Sequence, residues 1–276
     1  AVPCVLCCLL CLYFAYSKFS ISEEQAVIRT TVGDFIHGDV VIGAYIDGEY
    51  SSTIPGKNDG YVVDKVSCDN GAVGKWNNDN WGCNVYFKKY LIADKIIELA
   101  QSDTVNFAND DPDGNIRYIG VNPDNYVYFN CSDYTNQSDS NCEKWRIIGL
   151  FNNITKSDGT KENLVKIVKS ESIGKIAWNE NPSGYWANAT LQQNLNSGTY
   201  YTTTLKNDVS RSKIENVMWN LGASSTTVDE TAKMFYEREK SVNTNKDEIS
   251  AWTGKVGLIY ASDYGYATSG GTTANR

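Results

Sequence analysis

The chain of 276 residues contains one histidine, two methionines and five prolines. A single imidazole, His37, excludes every zinc site built on two histidines and argues against a histidine-based catalytic triad. Positive charge is also short. The 25 Lys and Arg are outnumbered by 33 Asp and Glu, for a net charge of −8. Binding a nucleic-acid backbone needs a cationic surplus on one face, so no nucleic-acid partner is expected. There is no G-x-S-x-G, no H-E-x-x-H and no Walker loop, and no repeat at a solenoid period. What is abundant is tyrosine (18), tryptophan (7) and asparagine (28), within an ordinary 41% hydrophobic share. That composition belongs to a folded chain of one large domain or two small ones.

Residues 1–16, AVPCVLCCLLCLYFAY, carry no charge and are almost wholly apolar. The run is shorter than the roughly 20 residues a membrane-spanning helix needs. It reads as a secretory signal core or a membrane anchor, with Ala15-Tyr16-Ser17 offering a small-x-small cleavage pattern. Residues 1–17 are therefore expected to direct export, placing the polar part outside the cell, secreted or anchored at its surface. The cysteines agree. Cys4, Cys7, Cys8 and Cys11 lie in the apolar run as small hydrophobes, and the remaining four fall into local pairs, Cys68…Cys83 and Cys131…Cys142. Four cysteines allow three connectivities; sequence-local pairing is the expectation, and such bonds persist outside the reducing cytosol. Neither pair has redox-active C-x-x-C spacing.

Residues 18–37 read as a short juxtamembrane helix or linker, with Ser22 as cap and Gly33 as stop. Residues 38–90 alternate β-branched and aromatic runs with D-G, P-G and N-G turns. They read as a small antiparallel β domain, stapled by Cys68 and Cys83. LIADKIIELAQ (91–101) is an amphipathic helix, and with the acidic turn after it, residues 91–116 connect the two modules. Strands are expected at IRYIG, NYVYFN, KWRIIGLF, NLVKIVKS and IGKIAW, and a closing strand and turn in WTGKVGLIYASDYGY (252–266). Helices are expected at 186–195 with Asn188 as cap, through DVSRSKIENVMWNLG, and at TAKMFYEREK. Strands followed by helices followed by strands make an α+β fold.

Several blocks carry a resemblance. RYIGVNPDNYVYFN, CEKWRIIGLFNNIT, KIVKSESIGKIAWN, YWANATLQQNLN and WTGKVGLIYASDYGYA resemble a group of secreted proteins of gut Gram-positive bacteria. IDGEYSSTIPGKNDGYVVDKVSCDNGAVGKWNNDNW resembles the β module that precedes that domain in them. The second module, 117–276, is similar to C-type-lectin-like folds in its W-R-[IV] strand, its W-x-N-x-x-L-x-x-x-L-N helix and its tyrosine-rich turn. The resemblance implies an exported binding or adhesion protein presenting a lectin-like head to a glycan or a partner protein. A surface glycan hydrolase and a purely structural surface component are the alternatives. Relatives continue with a Trp-rich loop and a G-V-R-P-A-L-like block, so the lectin-like domain is expected to be truncated here. Residues 268–276 would then be a frayed loop beside an open sheet edge.

For ligand binding the candidates are Trp178, Trp186, Tyr264 and Tyr266, with Trp76 and Trp81, because aromatic rings stack on the apolar faces of sugars. The competing reading of each is core packing. Asn109, Asp111, Asp113 and Asn115 resemble the start of a calcium loop, with Gly114 at the sixth position and Ile116 at the eighth. The twelfth, where a bidentate Glu belongs, is Gly120. An acidic turn is the simpler reading, and calcium is the one cofactor the sequence suggests at all. Glu180-Asn181-Pro182 has the wrong order for a sugar-binding calcium triplet. Glu237 with Glu239, and Asp111 with Asp263, are the carboxylate pairs on which a hydrolase would draw. The sequons at Asn130, Asn136, Asn153 and Asn188 are expected by chance in so Asn-rich a chain.

Overall fold

The computed structural model describes residues 40–68, 75–76, 80–179, 185–222, 230–241 and 250–268, of which 40–42, 68, 75–76 and 80–82 are described as backbone only. The expectations for residues 1–37, for His37, for the Glu180–Pro182 triplet, for the Trp76 and Trp81 side chains and for 269–276 fall outside these. The chain forms a mixed α+β structure in two compact units that divide between Leu91 and Ile92. Among the described residues no helix is long and apolar enough to cross a membrane.

The first unit is one sheet. β1 (Val40–Ile46) turns at Asp47-Gly48, both with positive φ, into β2 (Glu49–Ser51). That D-G pair supplies the left-handed conformations a tight hairpin demands. β3 (Tyr61–Cys68), β4 (Lys75–Trp76) and β5 (Asn80–Lys89) follow, and the sheet runs β2-β1-β5-β3 with β4 also on β5. The unit is not purely antiparallel as expected: β1 and β5 pair in parallel. Their side chains dictate this, because Ala44 sits beside Val85 and Ile46 beside Phe87, which builds the buried cluster on one face. The β3–β5 register places Cys68 opposite Cys83.

The second unit begins with α1 (Ile92–Ser102), so the helix expected to connect the modules belongs to this core. The sheet contains β6 (Phe107–Ala108), β7 (Ile116–Tyr118), β8 (Tyr126–Phe129), β9 (Glu143–Thr155) and β10 (Lys161–Lys169). Its order is β10-β9-β7-β6, with β8 also on β9, and all pairs are antiparallel. No described strand lies outside β10. The Cys131–Cys142 disulfide closes the loop between β8 and β9. One apolar cluster joins Ile96 of α1 to Phe107, Tyr118, Ile147 and Leu150. A neighbouring one joins Phe129 and Trp145 to Trp186, Leu191, Leu195, Tyr200 and Leu205.

The remaining elements are α2 (Thr190–Asn196), α3 (Asp208–Ser212), β11 (Val217–Asn220), α4 (Ala232–Glu239), β12 (Ala251–Gly254) and α5 (Ala261–Tyr266). Here the sequence reading needs four corrections. The helix read through DVSRSKIENVMWNLG stops at Ser212, and Val217–Asn220 pairs with Ala251–Gly254 as a hairpin. KVGLIY is not a strand, because Asn196 Oδ1 takes the Lys255 and Val256 amides at 3.0 and 2.9 Å, and its Nδ2 donates to the Val256 carbonyl at 2.9 Å. With those backbone groups satisfied by a side chain, no ladder forms, and the tyrosine-rich end becomes α5. IGKIAW is an extended segment without strand pairing, interrupted by Gly174 at φ 95°. Finally, Asn188 lies inside a 3₁₀ turn, Trp186–Asn188, and Ala189 is the residue that caps α2.

Candidate functional site

Two chemically distinct places stand out in the second unit. The first is a cluster of charges buried on the sheet. β7 pairs with β9 so that Arg117 lies beside Gly149, and β10 pairs so that Lys166 lies on Gly149's other side. A Cβ on Gly149 would come within 2.2 Å of the Ile116 carbonyl oxygen. Glycine thus keeps β7 and β9 close enough to bring the two cations under one cover. That cover is α4 and α5. Asp263 on α5 accepts from Arg117 Nη1 at 2.9 Å and from Lys166 Nζ at 2.5 Å. Asp111 accepts from Arg117 Nε at 2.6 Å. The guanidinium, only 2% exposed, also lies over the rings of Phe151, Tyr236 and Tyr266.

The electrostatics follow from burial against pairing. Burial works to raise the Asp263 carboxyl, but the Lys166 and Arg117 charges outweigh it and hold the group below the usual carboxylate range. Burial works to raise Asp113 too, and its bonds from Lys240 and Tyr236 bring it down. Glu239 goes the other way: burial pushes it up, although it accepts from the Ser262 amide and hydroxyl at 3.0 and 2.5 Å. The Tyr236 phenol is raised by burial and by donating to Asp113 at 2.7 Å.

This arrangement answers the calcium-loop expectation. Asp111 Oδ1 accepts the Asp113 and Asn115 amides at 3.1 and 2.9 Å, and its Oδ2 takes the Asn115 side chain and Arg117. Asp113 is bound to Tyr236 and Lys240, and Asn115 Oδ1 accepts the Asn152 amide at 2.7 Å. Asn109 makes no part of this set. The loop's oxygens are aimed at protein donors, with the guanidinium where a cation would sit. Among the described residues no group of three or more His, Cys, Asp or Glu side chains could hold a metal ion. Asp111 and Asp263, the carboxylates weighed for hydrolysis, do come together, but as the two jaws on Arg117. Glu237 is paired with Lys233 at 3.6 Å on α4 and stands apart from Glu239's partner Ser262.

The second place is a groove of about 120 Å³ lined by Trp178, Trp186, Trp219, Asn220, Leu221, Gly257, Leu258, Ile259 and Tyr260. Its aromatic wall is built of rings in contact. Trp178 and Trp186 have ring centroids 5.4 Å apart, Trp186 meets Trp252 edge-on at 5.7 Å, and Trp219 lies 6.1 Å from Tyr260. Trp219 Nε1 donates to the Gly254 carbonyl at 2.9 Å. The Tyr260 hydroxyl accepts the Asn220 amide at 2.9 Å and donates to the Asn220 carbonyl at 3.0 Å. Lys166 Nζ lies 4.3 Å from the Tyr260 ring centroid and so supports the wall from the charge cluster. A Cβ on Gly257 would meet the Trp219 ring at 2.7 Å, so only glycine lets the backbone lie flat on that indole. Trp178 and Leu258 remain 41% and 44% exposed, and among the described residues that line the groove none is charged.

Of the four aromatics singled out from sequence, the structure brings Trp178 and Trp186 together here. Tyr266 is wholly buried against Tyr236, and Tyr264 is 66% exposed and does not line the groove. Trp219 and Tyr260 were missed. The signal that could have found them is the Gly257 between two aromatic-rich stretches, whose packing needs a flat partner. Comparison of the chain with protein-family models, with curated proteins and with solved structures finds no match.

Proposed function

We propose that this chain is an exported cell-surface binding protein whose second unit is a lectin-like, non-catalytic head, with the groove at Trp178 as its contact site and a neutral carbohydrate as its ligand class. The observation that carries the reading is the groove itself: exposed indole on a packed aromatic wall, with no ionic group among its described lining residues to demand a charged ligand. Sugars offer apolar C–H faces to such rings and hydroxyls to backbone groups at the rim. No calcium is drawn from the Asn109–Asn115 loop, which spends its oxygens on Arg117, Tyr236 and Lys240, and the reading is of calcium-independent binding. The β unit serves as a spacer. The test is a panel of neutral oligosaccharides presented to the full chain, read by tryptophan fluorescence and by product analysis. Binding without turnover, unchanged by chelator and reduced at least about tenfold in Trp178→Ala, a loss of the size expected for a central aromatic anchor, supports the reading. Turnover of a bound glycan, or ligand binding indifferent to Trp178→Ala, overturns it.

A further inference from the structure

The wall of the groove at Trp178 contains a stretch of open main chain. Gly257 lines the groove and has no side chain, so its peptide groups are themselves part of the lining. Gly257, Leu258 and Ile259 lie in no helix or strand, and among the described residues none of their amides or carbonyls has a hydrogen-bond partner. The cause lies on either side of them. Asn196 takes the amides of Lys255 and Val256 and donates to the Val256 carbonyl. The Tyr260 amide goes to Asp263 Oδ2 at 3.2 Å, and the Tyr260 carbonyl accepts the Asp263 amide at 3.2 Å. Both ends are thus fixed by groups that offer no ladder to the middle. Gly257 is held against the Trp219 ring, where a Cβ would come within 2.7 Å.

Main-chain donors and acceptors left open beside an apolar groove are costly unless water or a ligand serves them. The neighbouring side chains narrow what that ligand can carry. Leu221, Leu258 and Ile259 line the groove with the indoles, so a sugar hydroxyl aimed at those aliphatic groups would go unpaired. At about 120 Å³ the groove is smaller than the roughly 300 Å³ of a pocket that encloses a drug-sized molecule. It admits a substituent and the edge of a ring. The substituent that suits both the open main chain and the aliphatic lining is an acetamido group. It is itself a peptide unit, with one N–H donor, one carbonyl acceptor, a methyl and no charge.

We propose that the sugar taken by this groove is N-acetylated: its acetamido N–H and carbonyl pair with the open main chain of Gly257–Ile259, its methyl packs on the aliphatic lining, and its pyranose ring lies on Trp178. The ligand class is thus a neutral chain of N-acetylhexosamines. The inference rests on the carbohydrate reading of the groove and narrows it. The segment is fixed before binding at both ends and at the indole, so little backbone entropy is lost when the acetamido group docks.

The experiment titrates the full chain by calorimetry with three trisaccharides of the same linkage and ring stereochemistry: chitotriose, its fully deacetylated form and cellotriose. Chitotriose is expected to bind tighter than either by about tenfold or more, the size of two neutral hydrogen bonds and a buried methyl. In Gly257→Ala the new methyl forces the segment off Trp219. The preference for chitotriose over cellotriose should then shrink by about threefold or more, the loss of about one hydrogen bond. If that variant folds poorly, the three ligands compared on the wild-type chain carry the test. Cellotriose binding as tightly as chitotriose, with both weakened by Trp178→Ala, leaves the carbohydrate reading standing and overturns this inference. So does tighter binding of the deacetylated trimer, or a preference untouched by Gly257→Ala. An acetylated Val-Thr-Val amide that binds more tightly than chitotriose assigns the open main chain to a peptide strand and also overturns it. Binding of no saccharide at all overturns both.

Discussion

Asp263 neutralises two cations, Arg117, which is buried with it, and Lys166, which is half-buried. Removing the charge while keeping the shape leaves Lys166 and Arg117 without that counter-ion in a site of low polarity. Breaking one partner of such a set costs about 3–5 kcal/mol, because the remaining charges cannot rehydrate. Asp263→Asn is accordingly expected to lose about that much stability at pH 7, measured by urea unfolding. The pH dependence has a definite sign. Asp263 and Asp113 titrate lower in the folded chain than in the unfolded one. Their contribution is complete above the ordinary carboxylate range near 4 and drains away as pH falls through the native values. The gap between wild type and Asp263→Asn should therefore narrow in acid. A gap that is constant from pH 7 to pH 3 would mean that the carboxylate charge is not what holds α5 to the sheet. Glu239 contributes oppositely, since its native pKa is raised and its share is lost as pH rises through it.

Strand β9 organises the second unit: β10 lies along one side, with β7 and β8 on the other. A register shift next to Gly149, between Lys166 and Ile167 on the partner strand, leaves one extra residue in β9. That irregularity turns Ile147 and Leu150 into the α1 cluster and Phe151 toward Arg117 and Lys166. Gly149→Ala forces a methyl against the Ile116 carbonyl and should cost about 1–3 kcal/mol through backbone displacement. The same variant should perturb Trp219 fluorescence, because Lys166 reaches that ring across the cluster at 5.7 Å. Unfolding at the wild-type denaturant concentration would show that β7 and β9 can separate without penalty. The sequence showed KWRIIGLF as a strand but not this turn of its faces, because a bulge depends on how two strands are paired and leaves no mark in either one alone.

For the molecule as a whole, export and disulfide formation go together. The Cys131–Cys142 bond closes a short loop and is worth about 3 kcal/mol by restricting the unfolded chain. The small β unit has only a modest apolar cluster, so a second staple at Cys68 and Cys83 would matter more there. Mass spectrometry of exported material is expected to find Cys68 linked to Cys83 and Cys131 to Cys142. Protein made in a reducing cytosol should unfold at lower denaturant and regain stability on oxidation. Free thiols at all four positions in native material would overturn the exported reading.

The sequence alone determined what local pattern and composition can carry. The D-G hairpin at Asp47, the amphipathic helix through Ile96, the strands around Trp145 and Val165, the Cys131–Cys142 pair and the α+β class were legible because each rests on neighbouring residues or on spacing. Tertiary structure decided the rest. Nothing local shows that Asp111 and Asp263, far apart in the chain, close on the same guanidinium, or that Asn196 replaces a strand partner for Val256. The groove likewise unites Trp178, Trp219 and Tyr260 only after β11, the Gly257 segment and α2 are in place. Such contacts are set by where the chain returns in space, and the energies that fix them, buried charge pairing and ring packing, are absent until it does.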